Sequence, residues 1–317
     1  MAEFIKPSFE IILQDDKDTV GYQRHIEKIG RLCYKSGDKI TERSYEGFID
    51  RMIRSKHFAM LEHGTIYLMF SIENGLILGH YLHNNYSKCV ISNNTAYITT
   101  NYRVIVENKY QDDLQYQCEP TEYHERRYSV KFTMDRIGSQ SVCRHRVFSF
   151  AQESTRFCNY SKDKFGSHVK ISIPSWIEET DYSEEKQAKM EARIEEIMRP
   201  KTFWEKIKSL FKKEKYFDKD ATDADWWLLA NMMSEKAYMN LTETYKWSAQ
   251  QARSVLPCDL NTEIVVTGFA SEWIHFFNLR SLGLTGAPHP DIKVIADELK
   301  EEFIKRGFIL ENQLGKE

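Results

Sequence analysis

The segment CRHRVFSFAQESTRFCNY, residues 143–160, concentrates basic, hydroxyl and amide side chains that can bind a ligand or take part in catalysis. Its basic, hydroxyl and amide residues are Arg144, His145, Arg146, Arg156, Ser149, Ser154, Thr155, Gln152 and Asn159. Guanidinium groups offer donors in a fixed fork that suits phosphate and pyrimidine carbonyls, and hydroxyls can complete the oxygen shell of a phosphate. These residue types therefore predict a site for an anionic, planar ligand.

The local backbone decides whether Arg144 and Arg146 can act on one ligand. On a strand the two side chains share a face, whereas on a helix they point to nearly opposite sides and could serve two ligands. A purely structural interpretation also stands, because an arginine-rich turn commonly pairs with surface carboxylates and such pairs stabilise a fold only weakly. Residue types alone leave these alternatives open.

Two distant blocks share their spacing with a known family. The first block is Arg144-His145-Arg146, then seven residues, then Ser154, with Arg156 two positions beyond. The second block is Ala252-Arg253-Ser254-Val255-Leu256-Pro257, followed by a strand with Thr262 and Thr267 and a helix ending in Asn278-Leu279-Arg280. Together they resemble the signature and the A-R-x-x-L-P element of the flavin-dependent thymidylate synthases. Weaker matches are Glu62-His63-Gly64-Thr65, Cys33-Tyr34-Lys35-Ser36 and residues 287–292.

The resemblance implies an enzyme that methylates deoxyuridylate (dUMP) reductively to thymidylate. Methylenetetrahydrofolate would donate the carbon, NADPH would be the reductant, and FAD would carry the redox chemistry. The implied fold is α+β, with a central, mostly antiparallel sheet flanked by helices, in a homotetramer whose active sites lie where subunits meet. A covalent nucleophile is not expected from Cys143, Cys158 or Ser154.

The resemblance also assigns residues. It implies that Arg280 is catalytic, since a cation beside the uracil carbonyl and N3 stabilises negative charge that develops on the ring. The residues expected to bind dUMP are Ser141, Arg144, Gln152, Glu153, Ser154, Thr155, Arg156, Arg253 and Arg280. The residues expected to bind FAD are Thr65, Arg144, His145, Arg146, Gln152, Phe269, Ala270, Ser271 and His275. His63 is expected near the folate.

Three positions depart from the family pattern. Gln152 stands where many relatives carry glutamate, Ser141 where a glutamine is usual, and Phe269 where an asparagine is often found. A neutral amide can hydrogen-bond but cannot act as a carboxylate. These departures motivate an alternative function, a catalytically silent homologue that binds flavin and nucleotide.

Periodicity predicts the elements that must position these residues. Ile26 and Ile29 recur at helical spacing, and Val130, Phe132 and Met134 alternate with polar residues, so one face of that strand is expected to be buried. Helices are expected over residues 20–36, 42–56, 181–199, 222–253, 270–280 and 291–306, and strands over 62–72, 96–108, 126–135 and 262–269. Asp181 and Glu184 are expected to form a capping box for the third of these helices. The chain is interpreted as a single domain, 1–317, with insertions near 75–127 and 199–222.

Composition limits the partners. The sequence has 44 basic and 47 acidic residues, a net charge of −3, which argues against a third interpretation, an RNA-binding module built on residues 144–156. The six cysteines form no C-x-x-C pair, and His80 with His83 has no second pair, so no metal site is expected. The lysine-rich amphipathic segment 201–215 is expected to pack on its own domain rather than on a membrane or partner. We expect a soluble cytoplasmic protein without nucleic-acid or membrane partners.

Overall fold

The computed structural model describes residues 2–199 and 221–316, in which helices are combined with strands that pair mostly antiparallel. The chain forms a small unit, Met1–Lys6 with Thr155–Asn261, and a large unit, Pro7–Ser154 with Thr262–Glu317. The predicted helix over 201–215 and most of the predicted insertion 199–222 lie outside the described residues. No helix among the described residues is long and apolar enough to cross a membrane.

The large unit contains two antiparallel sheets and most of the helices. Its strands are β2 (Ser8–Ile12), β3 (Thr65–Ser71), β4 (Lys88–Ser92), β5 (Thr95–Asn101), β6 (Arg127–Asp135), β7 (Ser149–Gln152) and β9 (Asn261–Phe269, whose first residue belongs to the small unit). Its helices are α1 (Gly21–Leu32), α2 (Ser44–Arg54), α3 (Gly75–Leu82), α4 (Tyr102–Asn108), α5 (Arg136–Cys143), α9 (Ala270–Arg280) and α10 (Pro290–Lys305). Short 3₁₀ helices cover residues 37–39, 58–63, 111–116 and 311–313.

The four-stranded sheet has the order β2-β6-β9-β7, and the three-stranded sheet has the order β3-β5-β4. Strand β2 pairs antiparallel with β6, and β7 pairs antiparallel with β9, so that Ser149 stands opposite Thr267. The alternation predicted for residues 126–135 is confirmed, since Val130, Phe132 and Met134 form one buried face of β6. That face packs against aromatic and aliphatic side chains of α9 and α10.

The small unit contains strands β1 (Glu3–Ile5) and β8 (Lys170–Ser172), which pair in parallel. Its helices are α6 (Glu184–Met198), α7 (Asp223–Glu243) and α8 (Ala249–Ala252), and 3₁₀ helices cover 163–165, 179–182 and 253–255. Its buried core includes Ile171, Tyr238 and Leu260. The expected mixture of helices with mostly antiparallel sheets is confirmed, because the described strand pairs of the large unit are antiparallel and the β1–β8 pair of the small unit is parallel.

Three predicted elements are wrong in detail. The strand expected over 96–108 ends at Asn101, because the Asn101 side chain accepts a hydrogen bond from the Val104 amide at 3.2 Å and starts α4. The helix expected over 222–253 ends at Glu243, before Lys246 adopts a left-handed φ of 58°. Helix α6 is capped by Ser183, whose hydroxyl accepts from the Lys186 amide at 3.4 Å, and Asp181 instead closes a capping box with Glu178.

Candidate active site

The segment with the two predicted flavin arginines is a turn between α5 and β7, so Arg144 and Arg146 lie on neither a strand nor a helix. The Asp135 carboxylate caps α5 by accepting from the Gly138 amide at 2.7 Å. Two backbone bonds close the turn, from His145 N to Val142 O and from Phe148 N to His145 O, both at 3.1 Å. The turn consequently buries His145 and exposes both arginines.

Arg280, the predicted catalytic residue, lies at the end of α9 and binds this turn. Its Nε donates to Nε2 of His145 at 2.9 Å, and its Nη2 donates to the Ser141 carbonyl at 3.0 Å. Because Nε2 must hold a lone pair to accept, His145 is neutral with its proton on Nδ1. Burial, Arg280 and His275 lower the pKa of His145 to about 4. The structure thus brings together three predicted site residues, Ser141, His145 and Arg280.

Arg144 and Arg146 are available to a ligand. Both side chains are exposed, and within residues 2–199 and 221–316 neither guanidinium forms a hydrogen bond or an ion pair. The purely structural interpretation, pairing with surface carboxylates, therefore does not account for them. Unpaired guanidiniums at the surface suit an anionic group such as a phosphate. His275 is also exposed, and its ring centroid lies 6.1 Å from that of His145.

The residues from Gln152 to Ser154 form hydrogen bonds and an ion pair with other residues of the large unit. Gln152 Nε2 donates to the hydroxyl oxygens of Ser139 at 3.0 Å and Thr262 at 3.3 Å. Glu153 is buried, with Oε2 3.1 Å from Lys35 Nζ. The Ser154 amide donates to the Cys33 carbonyl at 3.1 Å, which places the early segment 33–36 beside the motif serine. The amide of Gln152 suits its position because it can donate, which an ionised glutamate cannot.

Several predicted cofactor residues are buried rather than open to a ligand. The side chains of His63, Thr65 and Phe269 are all buried in the large unit. The backbone of Thr65 exchanges two hydrogen bonds with the side-chain amide of Gln14, at 2.8 and 2.9 Å. In contrast, Ala270 is partly exposed and Ser271 is exposed at the start of α9.

Arg127 is a candidate that the sequence analysis missed. Its Nη1 donates to the Glu62 carbonyl at 3.0 Å, its Nη2 reaches the Ser149 hydroxyl at 3.4 Å, and its guanidinium lies 5.4 Å from the centre of the Phe269 ring. Burial lowers its pKa below the ordinary arginine value. The available signal was the alternation of β6, which places Arg127 on the face of Ser129, opposite the apolar face.

The remaining predicted dUMP residues belong to the small unit. Thr155 is buried, and Arg253 Nη1 donates to its hydroxyl at 3.4 Å. Arg156 is exposed, with its guanidinium 5.3 Å from the centre of the neighbouring Phe157 ring. The small unit therefore holds two exposed arginines of the predicted dUMP set, Arg156 and Arg253.

A search of curated proteins gives no match. Two solved structures of the UMP/dUMP methylase PolB from Streptomyces cacaoi, bound with 5-Br dUMP and with 5-Br UMP, each align with 14% identity and a TM-score of 0.40 over 96% of this chain and 92% of PolB. This similarity is too low to assign a fold or an activity to this chain.

The family model described as thymidylate synthase complementing protein matches residues 119–306, more than half of the chain. The matched range contains the turn at Arg144–Arg146, the segment from Gln152 to Arg156, Arg253 and Arg280, whereas His63 and Thr65 lie before it. The family expected from the two sequence blocks is thereby confirmed: the chain belongs to the thymidylate synthase complementing protein family.

Proposed function

We propose that this chain is an FAD-dependent thymidylate synthase that methylates dUMP reductively, with methylenetetrahydrofolate as carbon donor and NADPH as reductant. One observation carries the proposal: within the range matched by the family model, Arg280 is held by a neutral His145 beside the exposed Arg144. We further propose that the enzyme works as a homotetramer with active sites at subunit interfaces.

Arg280 is proposed to stabilise charge on the uracil ring. Its bonds to His145 and Ser141 fix the orientation of the guanidinium, and a guanidinium with about five N–H donors keeps capacity for a ligand after these two. A donor that is already oriented costs little reorganisation when charge develops on a uracil carbonyl. Burial and the nearby Arg144 lower the pKa of Arg280, which indicates that an anionic ligand would relieve an unfavourable concentration of positive charge.

Arg144 and Arg146 are proposed to bind the anionic portion of FAD, and His275 and Ser271 to lie along it. Bound FAD would supply the transfer of reducing equivalents from NADPH. In the small unit, Arg156 and Arg253 are proposed to bind dUMP through its phosphate and its ring. Each of these assignments is an expectation from the family motifs, supported by the exposure of the side chains.

The test is tritium release from dUMP labelled at the carbon to be methylated. Purified protein is assayed with FAD, NADPH and methylenetetrahydrofolate together and with each omitted in turn, and the Arg280→Ala variant is assayed in parallel to exclude a contaminating synthase. Release that requires all three and disappears in the variant supports the proposal. Protein that holds flavin and binds dUMP but releases no tritium would instead support the silent homologue.

A further inference from the structure

Four polar side chains form a continuous hydrogen-bonded chain inside the large unit. His25 Nε2 lies 2.8 Å from the Ser129 hydroxyl, this hydroxyl lies 2.6 Å from that of Thr267, and the latter lies 2.7 Å from His63 Nδ1. The four residues come from α1, β6, β9 and the 3₁₀ helix 58–63, and each is at most 5% exposed. A polar chain of this length in a buried region is costly unless each member is bonded.

Both imidazoles of the chain are neutral. Burial, Lys28 and Arg127 lower the pKa of His25 to about 3, and burial, His25 and Arg127 lower the pKa of His63 to about 3. A neutral imidazole has one N–H and one lone pair, so the proton of each ring must sit on one nitrogen or the other. Each hydroxyl between the rings has a single proton to donate.

These proton counts allow only two arrangements of the chain. In the first, His63 Nδ1 donates to Thr267, Thr267 donates to Ser129, and Ser129 donates to His25 Nε2. In the second, every bond runs the other way, from His25 Nε2 to His63 Nδ1. The first arrangement leaves both rings protonated on Nδ1 and the second leaves both protonated on Nε2, so the two histidines must share the same tautomer.

We propose that His25, Ser129 and Thr267 are positioning residues that set the ring tautomer of His63. The other nitrogen of that ring, Nε2, is buried and has no hydrogen-bond partner at normal geometry among the described residues. Burial lowers the pKa of His63, and the Phe150 backbone carbonyl near the ring opposes this by raising it. The direction of the chain decides whether Nε2 offers a proton or a lone pair. The expected place of His63 near the folate rests on the family resemblance behind the proposed function, but the coupling of the two tautomers does not.

Because the number of protons on the hydrogen-bonded chain is fixed, the chain can change from one arrangement to the other only if one proton enters at one end and one proton leaves at the other end. Passing from the second arrangement to the first shifts one proton along each bond, so His25 Nδ1 must gain a proton and His63 Nε2 must lose one. His25 and Ser129 line a cavity of about 40 Å³, which is large enough to hold a water molecule beside this end of the hydrogen-bonded chain. The chain is therefore also a path along which a proton can reach His63.

The first test measures the tautomers directly. The full chain is labelled with ¹⁵N-histidine, and the ring nitrogens of His25 and His63 are recorded at neutral pH without substrate, with assignment from His25→Gln and His63→Gln. We expect both rings to be in the same tautomer. Opposite tautomers in the wild-type protein would overturn the proposal, whatever the protein does with dUMP.

The second test interrupts the hydrogen-bonded chain at Thr267. Thr267→Val removes the hydroxyl while keeping the shape, and we expect His25, which Thr267 does not contact through a hydrogen bond, to lose its single tautomer and show a mixture. Thr267→Ser should restore the wild-type pattern. Thr262→Val is the matched control, because Thr262 is buried on the same strand but bonds Gln152 instead.

An unchanged His25 pattern in Thr267→Val, or a changed one in Thr262→Val, would refute the coupling. Ser129→Ala interrupts the same chain from the neighbouring strand and serves as the second variant should Thr267→Val not fold. Tritium release is measured separately on the same samples. Loss of enzyme activity with coupled tautomers would count against the proposed function alone. Uncoupled tautomers in an active enzyme would count against the tautomer coupling alone.

Discussion

Arg280 Nε donates to His145 Nε2 at 2.9 Å, joining two residues that are 135 positions apart in the sequence. The bond exists only while His145 is neutral, since a protonated imidazole has no acceptor and would repel the guanidinium. The His145 pKa of about 4 keeps the ring neutral at physiological pH. The orientation of the proposed catalytic cation therefore depends on the protonation state of the residue beside it.

Replacing Arg280 tests the proposed catalytic role. We expect Arg280→Ala to lower kcat by about 10²- to 10³-fold, the usual cost of removing one oriented donor from developing negative charge. FAD affinity should fall only modestly. Arg306→Ala, a surface arginine paired with Glu302 on α10, is the control and should retain full turnover. Near-normal turnover in Arg280→Ala would exclude Arg280 from ring activation.

Replacing His145 tests whether the imidazole positions Arg280. His145→Ala removes a hydrogen bond to a charged group, a contribution of about 1.5–3 kcal/mol, so we expect kcat to fall about 10- to 100-fold together with weaker FAD binding. His275→Ala is the comparison, because the exposed His275 ring has no hydrogen bond to Arg280. It should weaken FAD binding while kcat at saturating FAD is retained. Equal kcat values in the two variants would argue against positioning.

The two arginines of the small unit are expected to act in substrate binding. Arg156→Ala and Arg253→Ala should each raise KM for dUMP by about 10- to 100-fold, because each removes a charge-assisted hydrogen bond to the nucleotide. Arg193→Ala, at a partly exposed position of α6 where the arginine pairs with Glu196, is the matched control. Steady-state kinetics with varied dUMP gives the answer, and an unchanged KM would remove the substituted arginine from the dUMP site.

The ion pair between Lys35 and Glu153 is expected to stabilise the large unit. Glu153→Gln leaves the half-buried Lys35 ammonium without its counter-charge, which should lower the free energy of unfolding by about 1–3 kcal/mol. Urea unfolding of the two single variants, Lys35→Met and Glu153→Gln, and of the double variant forms a double-mutant cycle. Strictly additive effects would mean that the two side chains are not coupled.

Buried His25 predicts a loss of stability in acid. The pKa of His25 is about 3 in the folded chain and about 6.5 in an unfolded chain, so between about pH 6.5 and about pH 3 the unfolded chain binds a proton that the folded chain does not. The free energy of unfolding should therefore fall with decreasing pH, by up to about 1.4 kcal/mol per pH unit for this residue. The free energy of unfolding, measured by urea unfolding at several pH values between about pH 7 and pH 4, should fall less steeply with decreasing pH in His25→Gln than in the wild-type protein. Parallel pH curves would contradict the prediction.

Local sequence patterns were sufficient to predict several parts of this protein. The recurrence of Ile26 and Ile29 predicted α1, and the alternation of Val130, Phe132 and Met134 predicted the buried face of β6. The motif around Arg144 and the block at Arg253 identified the family. These features are local because helical and strand periodicities, and the order of residues in a motif, are written in consecutive positions.

Tertiary structure decided how those residues are used. The sequence left the backbone at Arg144 and Arg146 open, and backbone closure of a turn, together with the burial of His145, exposed both side chains. Periodicity tells which side of an element is buried but not which distant element covers it. For that reason the contact of Arg280 with His145, and that of His63 with Thr267 across 204 positions, became visible only in the folded chain.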